Sequence, residues 1–192
     1  MALLRAVAVG VLALVPVLGG CRSAAPAGER AEATKVAGAR DFDFEVGTWR
    51  VHHRTLKRLP DGGQEWTEFE GTSSNHQIMD GLANVEDNVF HTASGVRRGV
   101  ALRSFDPRTG QWAIWWLDER YPLGPGEPPV IGRFENGTGT FYSDDVVDGA
   151  KIRTRFIWGD ITATSARWEQ ATSRDSGRTW ETNWVMQFER VQ

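Results

Sequence analysis

Apolar and polar residues alternate in short runs from residue 41 onward, and these runs are rich in Val, Ile, Phe, Trp and Thr. A period of two places successive side chains on opposite faces of a strand, whereas a helix repeats its apolar positions every three to four residues. The pattern predicts about ten strands, at residues 48–59, 64–74, 83–91, 99–105, 111–117, 130–135, 138–143, 151–158, 165–172 and 180–189.

The segments between these strands are mostly short and carry turn residues. Asp106-Pro107 begins one turn, and Asn136-Gly137 suits a two-residue hairpin that needs positive φ. Consecutive strands joined by tight turns form an antiparallel meander, and closure into an up-and-down barrel removes the exposed edges of such a sheet. We predict an all-β fold for residues 41–192, an antiparallel β-barrel of about ten strands. The proline-rich residues 118–129 are either a lid over the barrel mouth or a stiff connection.

Residues 1–20 have the composition of a signal peptide. Their apolar run, at residues 6–18, is too short to span a membrane as a stable helix. The segment ends Leu18-Gly19-Gly20 before Cys21, which resembles the lipobox of bacterial lipoproteins. The resemblance implies cleavage before Cys21, lipid on its thiol and anchorage of the exported protein in the cell membrane or the outer membrane. Residues 21–40 are predicted to be a flexible, lipidated tether.

The first and last strands of the predicted barrel carry a known sequence signature. Gly47-Thr48-Trp49 opens the first strand, and Arg190 closes the last one. The arrangement resembles that of the calycins, in which a G-x-W motif lies at the closed end of a lipocalin barrel and an arginine packs over the indole. Three longer segments resemble the uncharacterised bacterial DUF1579-type proteins: FDFEVGTWRVHHRTLKRL, FYSDDVVDGAKIRTRFIW and TSARWEQATSRDSGRTWETNWVMQFER. This resemblance supports the barrel and implies no activity.

One further motif lies near the carboxyl terminus. Residues 173–180 match the S-x-D-x-G-x-T-W Asp-box, which sialidases repeat once in each propeller blade. Here it occurs once, in a chain too short for a propeller. The motif predicts a structural hairpin in which Asp175 accepts backbone donors, Gly177 takes a left-handed conformation and Trp180 packs beneath.

The chain has nine Trp and nine Phe, and the alternation predicts a barrel interior that is apolar and rich in tryptophan. In the last hairpin we expect Trp168 to lie opposite Trp184. A solidly packed interior and a ligand cavity both agree with this composition. For a cavity, His53 or Gln170 would orient the polar end of an apolar or aromatic ligand. The predicted ligand-binding residues are His53, Trp112, Trp116, Phe156, Trp158, Trp168, Gln170, Trp184 and Met186.

The net charge and the sequence motifs limit the classes of function that we expect. The formal net charge is −3 and no basic run is present, so we do not expect a nucleic acid partner. We predict no cofactor, no metal and no catalytic residue, because the common nucleotide, zinc and hydrolase motifs are missing from the sequence. The first hypothesis is a small-molecule binder or carrier at the cell envelope. The alternatives are a barrel enzyme (isomerase, cyclase or hydrolase) that uses His53, and a structural envelope protein with a filled barrel.

Overall fold

A computed structural model describes residues 36–121, 124, 127–147 and 149–191. The predicted signal peptide, Cys21 and most of the tether lie outside these residues. In the part of the chain that is described, no helix has both the length and the apolar character needed to cross a membrane.

The described residues contain two short 3-10 helices, at Asp43–Glu45 and Met79–Gly81, and ten strands. In chain order the strands are β1 (Gly47–Arg58), β2 (Gln64–Ile78), β3 (Ala83–Thr92), β4 (Gly95–Asp106), β5 (Gln111–Asp118), β6 (Val130–Glu135), β7 (Thr138–Val147), β8 (Ala150–Gly159), β9 (Ser165–Ser173) and β10 (Glu181–Arg190).

The ten strands form one closed antiparallel barrel. Each strand pairs with the next along the chain, and β1 closes the sheet by pairing with β10, with Trp49 opposite Arg190 and Val51 opposite Phe188. The predicted fold class, an all-β up-and-down barrel of about ten strands, is therefore confirmed. The strands run on beyond several predicted ends, as in β2 and β7, because backbone pairing with a neighbour continues through polar residues.

The segment before β1 closes one end of the barrel, which we call the base. Phe42 lies in the interior there, with ring centroids 5.0 Å from both Trp112 and Phe134. Trp49 is fully buried, and its Nε1 donates to the Glu45 carbonyl oxygen at 2.7 Å. The base is thus filled by Phe42 from the segment before β1 and by inward side chains of β1, β5 and β6.

Arg190 fastens the last strand to this base. Its guanidinium lies 4.1 Å from the centre of the Trp49 ring. Its Nη1 donates to the Val46 carbonyl oxygen at 2.7 Å, and its Nε donates to the Ala163 carbonyl oxygen at 2.8 Å. The cation therefore stacks on an aromatic face while its planar donors satisfy backbone carbonyls on two segments.

The hairpin of β9 and β10 corrects one predicted register. Gln170, not Trp168, lies opposite Trp184, and Trp168 lies opposite Met186. The register shifts between Thr182 and Trp184, where an irregularity inserts Asn183. From Trp184 onward the change amounts to two residues, so those side chains keep their predicted faces. Thr182, before the irregularity, lies opposite Ala171 instead of Gln170. Trp168 and Trp184 still meet as diagonal neighbours, with ring centroids 5.6 Å apart.

Candidate functional site

A small cavity lies inside the barrel, between its middle and the end opposite the base, which we call the mouth. Its volume is about 70 Å³. Close packing normally leaves few voids larger than a water molecule, so a space of this size within an aromatic interior marks a candidate ligand site. The lining residues are Glu86, Asn88, Phe90, Ala101, Arg103, Ile114, Trp116, Glu127, Phe156, Trp158, Trp168, Gln170, Trp184 and Met186.

Seven of the nine predicted ligand-binding residues line this cavity: Trp116, Phe156, Trp158, Trp168, Gln170, Trp184 and Met186. Trp112 does not, because it belongs to the base, where its Nε1 donates to the Gly38 carbonyl oxygen at 2.9 Å. His53 also lies outside the lining. Most of the aromatic lining thus comes from alternate residues of β5, β8, β9 and β10, and Phe90 of β3 adds to it; these side chains point inward because side chains alternate along a strand.

His53 lies behind the cavity wall. It is buried, it stacks on Phe69 with ring centroids 4.7 Å apart, and its Nδ1 accepts a hydrogen bond from Trp184 Nε1 at 3.3 Å. Burial lowers the pKa of His53 to about 3, despite the nearby charge of Glu86 that acts to raise it. The neutral ring therefore positions the Trp184 indole, which itself lines the cavity.

A buried ionic cluster forms the inner end of the cavity, and the interior is therefore not wholly apolar, contrary to the prediction. The Arg103 guanidinium faces Glu45, with Nη1 to Oε2 at 2.8 Å and Nη2 to Oε1 at 2.9 Å. Nη2 also donates to Glu86 Oε2. The three side chains are at most 3% exposed. Such a cluster is stable only when its geometry and its remaining hydrogen bonds are good.

Neutral polar side chains complete this cluster. Ser73 Oγ donates to Glu86 Oε1 at 2.6 Å. The Asn84 side-chain oxygen accepts from Arg103 Nη1 at 3.1 Å and from Asn75 Nδ2 at 3.1 Å. These residues lie on the inner faces of β2, β3 and β4, so three neighbouring strands supply the polar half of the interior.

The two carboxyl groups of the cluster have opposite pKa shifts. Burial, reinforced by the charge of Glu86, raises the pKa of Glu45 well above its usual value, against the attraction of Arg103. Burial also acts to raise the pKa of Glu86, but Arg103 and the Ser73 hydroxyl outweigh it and lower that pKa. Two carboxyl groups that share one guanidinium shift apart in this way, because the negative charge of each disfavours ionisation of the other.

The sequence did carry a signal for this cluster. Along β3, Asn84, Glu86 and Asn88 alternate in step with Phe90, and all four are buried. Along β4, Arg103 lies two residues before the buried Phe105. Extending the period of two backward from each phenylalanine places the charged residues inside. The prediction missed them because ionisable residues are rarely buried.

The mouth holds an open recess of about 400 Å³ that shares Trp116, Gln170 and Trp184 with the cavity. From the segment 118–129, Tyr121 and Glu127 also line this recess. Asp118 begins the segment and pairs with Arg120, with Oδ1 to Nε at 2.8 Å. The described part of this segment therefore borders the mouth, a position that agrees with either predicted role, a lid or a stiff connection.

The Asp-box hairpin lies on the outer wall. Asp175 accepts from the Thr179 backbone nitrogen at 2.9 Å and from its hydroxyl at 2.7 Å, and Gly177 has φ +91°. Trp180 packs against Arg155, whose guanidinium lies 4.3 Å from the indole centre. Within the described ranges, no group of three His, Cys, Asp or Glu side chains is placed to hold a metal ion.

Comparisons with known proteins add a likeness of fold. No family model and no curated protein matches the chain, so the resemblance to DUF1579-type proteins stays a prediction. The chain is similar to an S-type phycobiliprotein lyase, CPES, from Guillardia theta, at 10% identity over 79% of this chain and 90% of that chain, with a TM-score of 0.49. It is also similar to EF1p2_mFAP2b bound to DFHBI, at 13% identity over 81% of this chain and 100% of that chain, with a TM-score of 0.40.

Because these identities and TM-scores are low, the class of fold is defined by the strand pairing of this chain. The described residues form a closed ten-stranded antiparallel β-barrel with a largely aromatic interior cavity.

Proposed function

We propose that this protein binds a small, largely aromatic molecule inside its barrel and does so at the bacterial cell envelope. The observation that carries the proposal is the cavity, where six aromatic side chains meet a buried polar cluster in an otherwise packed interior. Burial of apolar ligand surface stabilises a complex by roughly 25 cal/mol per Å², and a few polar groups fix its orientation.

Size and access agree with such a ligand. A volume of 70 Å³ accommodates roughly five water-sized groups, which corresponds to one small ring or one end of a larger molecule. Trp184 lines both the cavity and the recess at the mouth. The recess adjoins the cavity along this side chain and would hold the remainder of a larger ligand.

The geometry favours binding over the enzyme alternative on one point. That alternative relied on His53 as an inward acid or base, and His53 is neutral, committed to Trp184 and separate from the cavity lining. The envelope part of the proposal is supported by the lipobox-like sequence at residues 18–21.

Native mass spectrometry tests the proposal on the full chain purified gently from its own host. We expect a reproducible non-covalent adduct that is lost on denaturation. Ala101→Leu, which fills the cavity, should abolish the adduct. Ala113→Leu is the matched control, because it adds the same volume between the inward-facing Trp112 and Ile114 and therefore on the outer face. Bare protein in every sample, or an adduct that survives Ala101→Leu, would refute binding in this cavity.

A further inference from the structure

Two amide side chains of the cavity lining have an open acceptor oxygen. Asn88, on the inner face of β3, is only 3% exposed. Its Nδ2 donates to the Glu86 carbonyl oxygen at 3.5 Å, whereas its Oδ1 accepts from none of the described residues and retains accessible surface. Gln170 of β9 commits its Nε2 to Asn183 Oδ1 at 2.9 Å and likewise leaves its oxygen open. Because a buried acceptor is costly to leave without a partner, these amides point to a ligand that carries hydrogen-bond donors.

The carboxylates of the lining indicate that this donor is positively charged. Glu86 shares the single guanidinium of Arg103 with Glu45. Glu127, an exposed residue before β6, also lines the cavity. The lining therefore holds two carboxylates and one guanidinium, and that guanidinium is already committed to carboxylates. A cation in the cavity would be attracted by this surplus of negative charge, whereas an anion would be repelled.

The aromatic part of the lining also suits a cation. The Arg97 guanidinium lies 4.9 Å from the centre of the Phe90 ring, and that of Arg103 lies 5.6 Å from the centre of the Trp158 ring. Both rings belong to the cavity lining. The protein thus places its own cations on aromatic faces of this interior, and the other rings of the lining offer a ligand cation the same attraction.

The acceptors and the rings lie on opposite sides of the barrel. Strand β3, which carries Glu86 and Asn88, is five strands away from β8 in either direction around the closed sheet. Phe156 of β8 and Trp168 of β9 meet edge to face, with ring centroids 4.8 Å apart. A molecule that crosses the cavity therefore meets acceptors at one end and aromatic rings at the other.

We propose, on the basis of the small-molecule binding set out above, that the ligand is an aromatic amine in its protonated, cationic form. Its ammonium group donates to Asn88 Oδ1 and faces the Glu86 carboxylate. Its ring lies against Phe156 and Trp168. The site therefore selects for positive charge as well as for an apolar ring.

Three probes of similar shape test this selectivity by isothermal titration calorimetry at pH 7, on the protein as its host processes it. Benzylammonium is the form that benzylamine takes at this pH, ethylbenzene replaces its ammonium group with a methyl group, and benzoate carries a negative charge. We expect benzylammonium to bind roughly tenfold more tightly than either other probe, the effect of a hydrogen bond from a charged donor to a buried acceptor. The hydrophobic effect alone would favour ethylbenzene, so the comparison is stringent.

A first variant assigns the selectivity to the acceptor. Asn88→Leu keeps the size of the side chain and removes its oxygen, and it should reduce the preference for benzylammonium over ethylbenzene to about twofold or less. Ethylbenzene needs no acceptor, so an undiminished affinity for it shows that the cavity of the variant is intact. A variant that binds ethylbenzene and keeps the full preference would contradict the contact with Asn88.

A second variant lies on the exposed rim and does not depend on tolerance of the core. Glu127→Gln removes one negative charge from the lining, and it should reduce the preference for benzylammonium about threefold, as expected for an exposed ion pair. Glu135→Gln is the matched control, because it makes the same change at the exposed far end of β6, outside the lining. Equal preferences in the two variants would contradict a local effect of Glu127.

The outcomes separate the two proposals. Equal affinity for benzylammonium and ethylbenzene in the unaltered protein would overturn the assignment of a cationic ligand and leave binding in the cavity intact. Tightest binding of benzoate would overturn the sign of the charge. No binding of any probe up to its solubility limit would overturn both the cationic assignment and the proposed function.

Discussion

His53 lies on the inner face of β1, between the Phe69 ring and the Trp184 indole. Because burial lowers its pKa to about 3, its ring stays neutral in the folded protein at neutral pH. The unfolded chain instead takes up a proton near pH 6.5. By linkage, the stability that the neutral ring contributes is complete above pH 6.5 and is lost as the pH falls toward 3.

This linkage predicts an acid sensitivity that belongs to His53. Between pH 6.5 and 4 the unaltered protein should lose about 3 kcal/mol of its free energy of unfolding relative to His53→Gln, which keeps a side-chain acceptor for Trp184 but does not titrate. Urea unfolding at a series of pH values measures the difference. His76→Gln makes the same change at an exposed position and should follow the unaltered protein. Parallel curves for the unaltered protein and His53→Gln would contradict the buried, neutral state of this histidine.

The residue scale is also where prediction from sequence succeeded least. The sequence pattern predicts tryptophan and phenylalanine in the interior, because large apolar side chains on alternating positions favour a core. It does not predict Glu45, Glu86 and Arg103 there, because each of these side chains is costly to bury alone. Only their mutual contacts make burial possible, and those contacts join the base segment to β3 and β4. A pattern within one strand does not contain that information.

Strand β6 shows how one residue sets the spacing between elements. Gly132 pairs with Phe141 of β7, and a Cβ added at Gly132 would overlap the Thr140 carbonyl oxygen and lie 2.7 Å from the Phe141 Cα. Both obstacles are backbone atoms, which cannot rotate away. The close approach of β6 to β7 therefore depends on the absence of a side chain at this position.

Gly132→Ala should destabilise the barrel by about 2 kcal/mol or more, because the two strands must separate or distort to admit the methyl group. Gly159→Ala makes the same change in β8 where a Cβ would meet no atom within 4 Å. It should be neutral or stabilise by about 0.5 kcal/mol, through the reduced entropy of the unfolded chain. Urea unfolding of both variants gives the comparison. Equal stabilities would mean that β6 and β7 do not approach as closely as described.

At the scale of elements the sequence was most informative. All ten predicted strands are present, because most alternating runs end in a short turn that contains Gly or Asn, such as Asn136-Gly137, where φ is +52° and +80°. The predicted pairing of Trp168 with Trp184 was wrong, because the alternation of apolar and polar residues does not indicate the irregularity at Asn183. Turn chemistry fixes where strands begin and end better than it fixes their register across a long hairpin.

Across the whole barrel the interior is layered from base to mouth. Aromatic rings around Phe42 fill the base, the ionic cluster of Arg103 lies above them, and the cavity with its wall of indoles follows toward the mouth. Arg103 links the first two layers, because its guanidinium lies 4.9 Å from the Phe42 ring centre and 5.6 Å from that of Trp158. The packed base supports the polar cluster, and Glu86 and Arg103 of the cluster form the inner end of the cavity.

The proposed membrane anchorage rests on Cys21, which lies outside the described part of the chain. If Cys21 carries the lipid, the host should incorporate radiolabelled palmitate into the unaltered protein and into Ser23→Ala, a control change just past the lipobox-like sequence. Cys21→Ala removes the thiol to which lipid would attach, so it should take up no label. Label on Cys21→Ala would contradict attachment at this residue, and a lack of label on every sample would contradict the lipoprotein proposal itself. The barrel would keep its cavity in either case, because the strands and lining residues all lie downstream of residue 41.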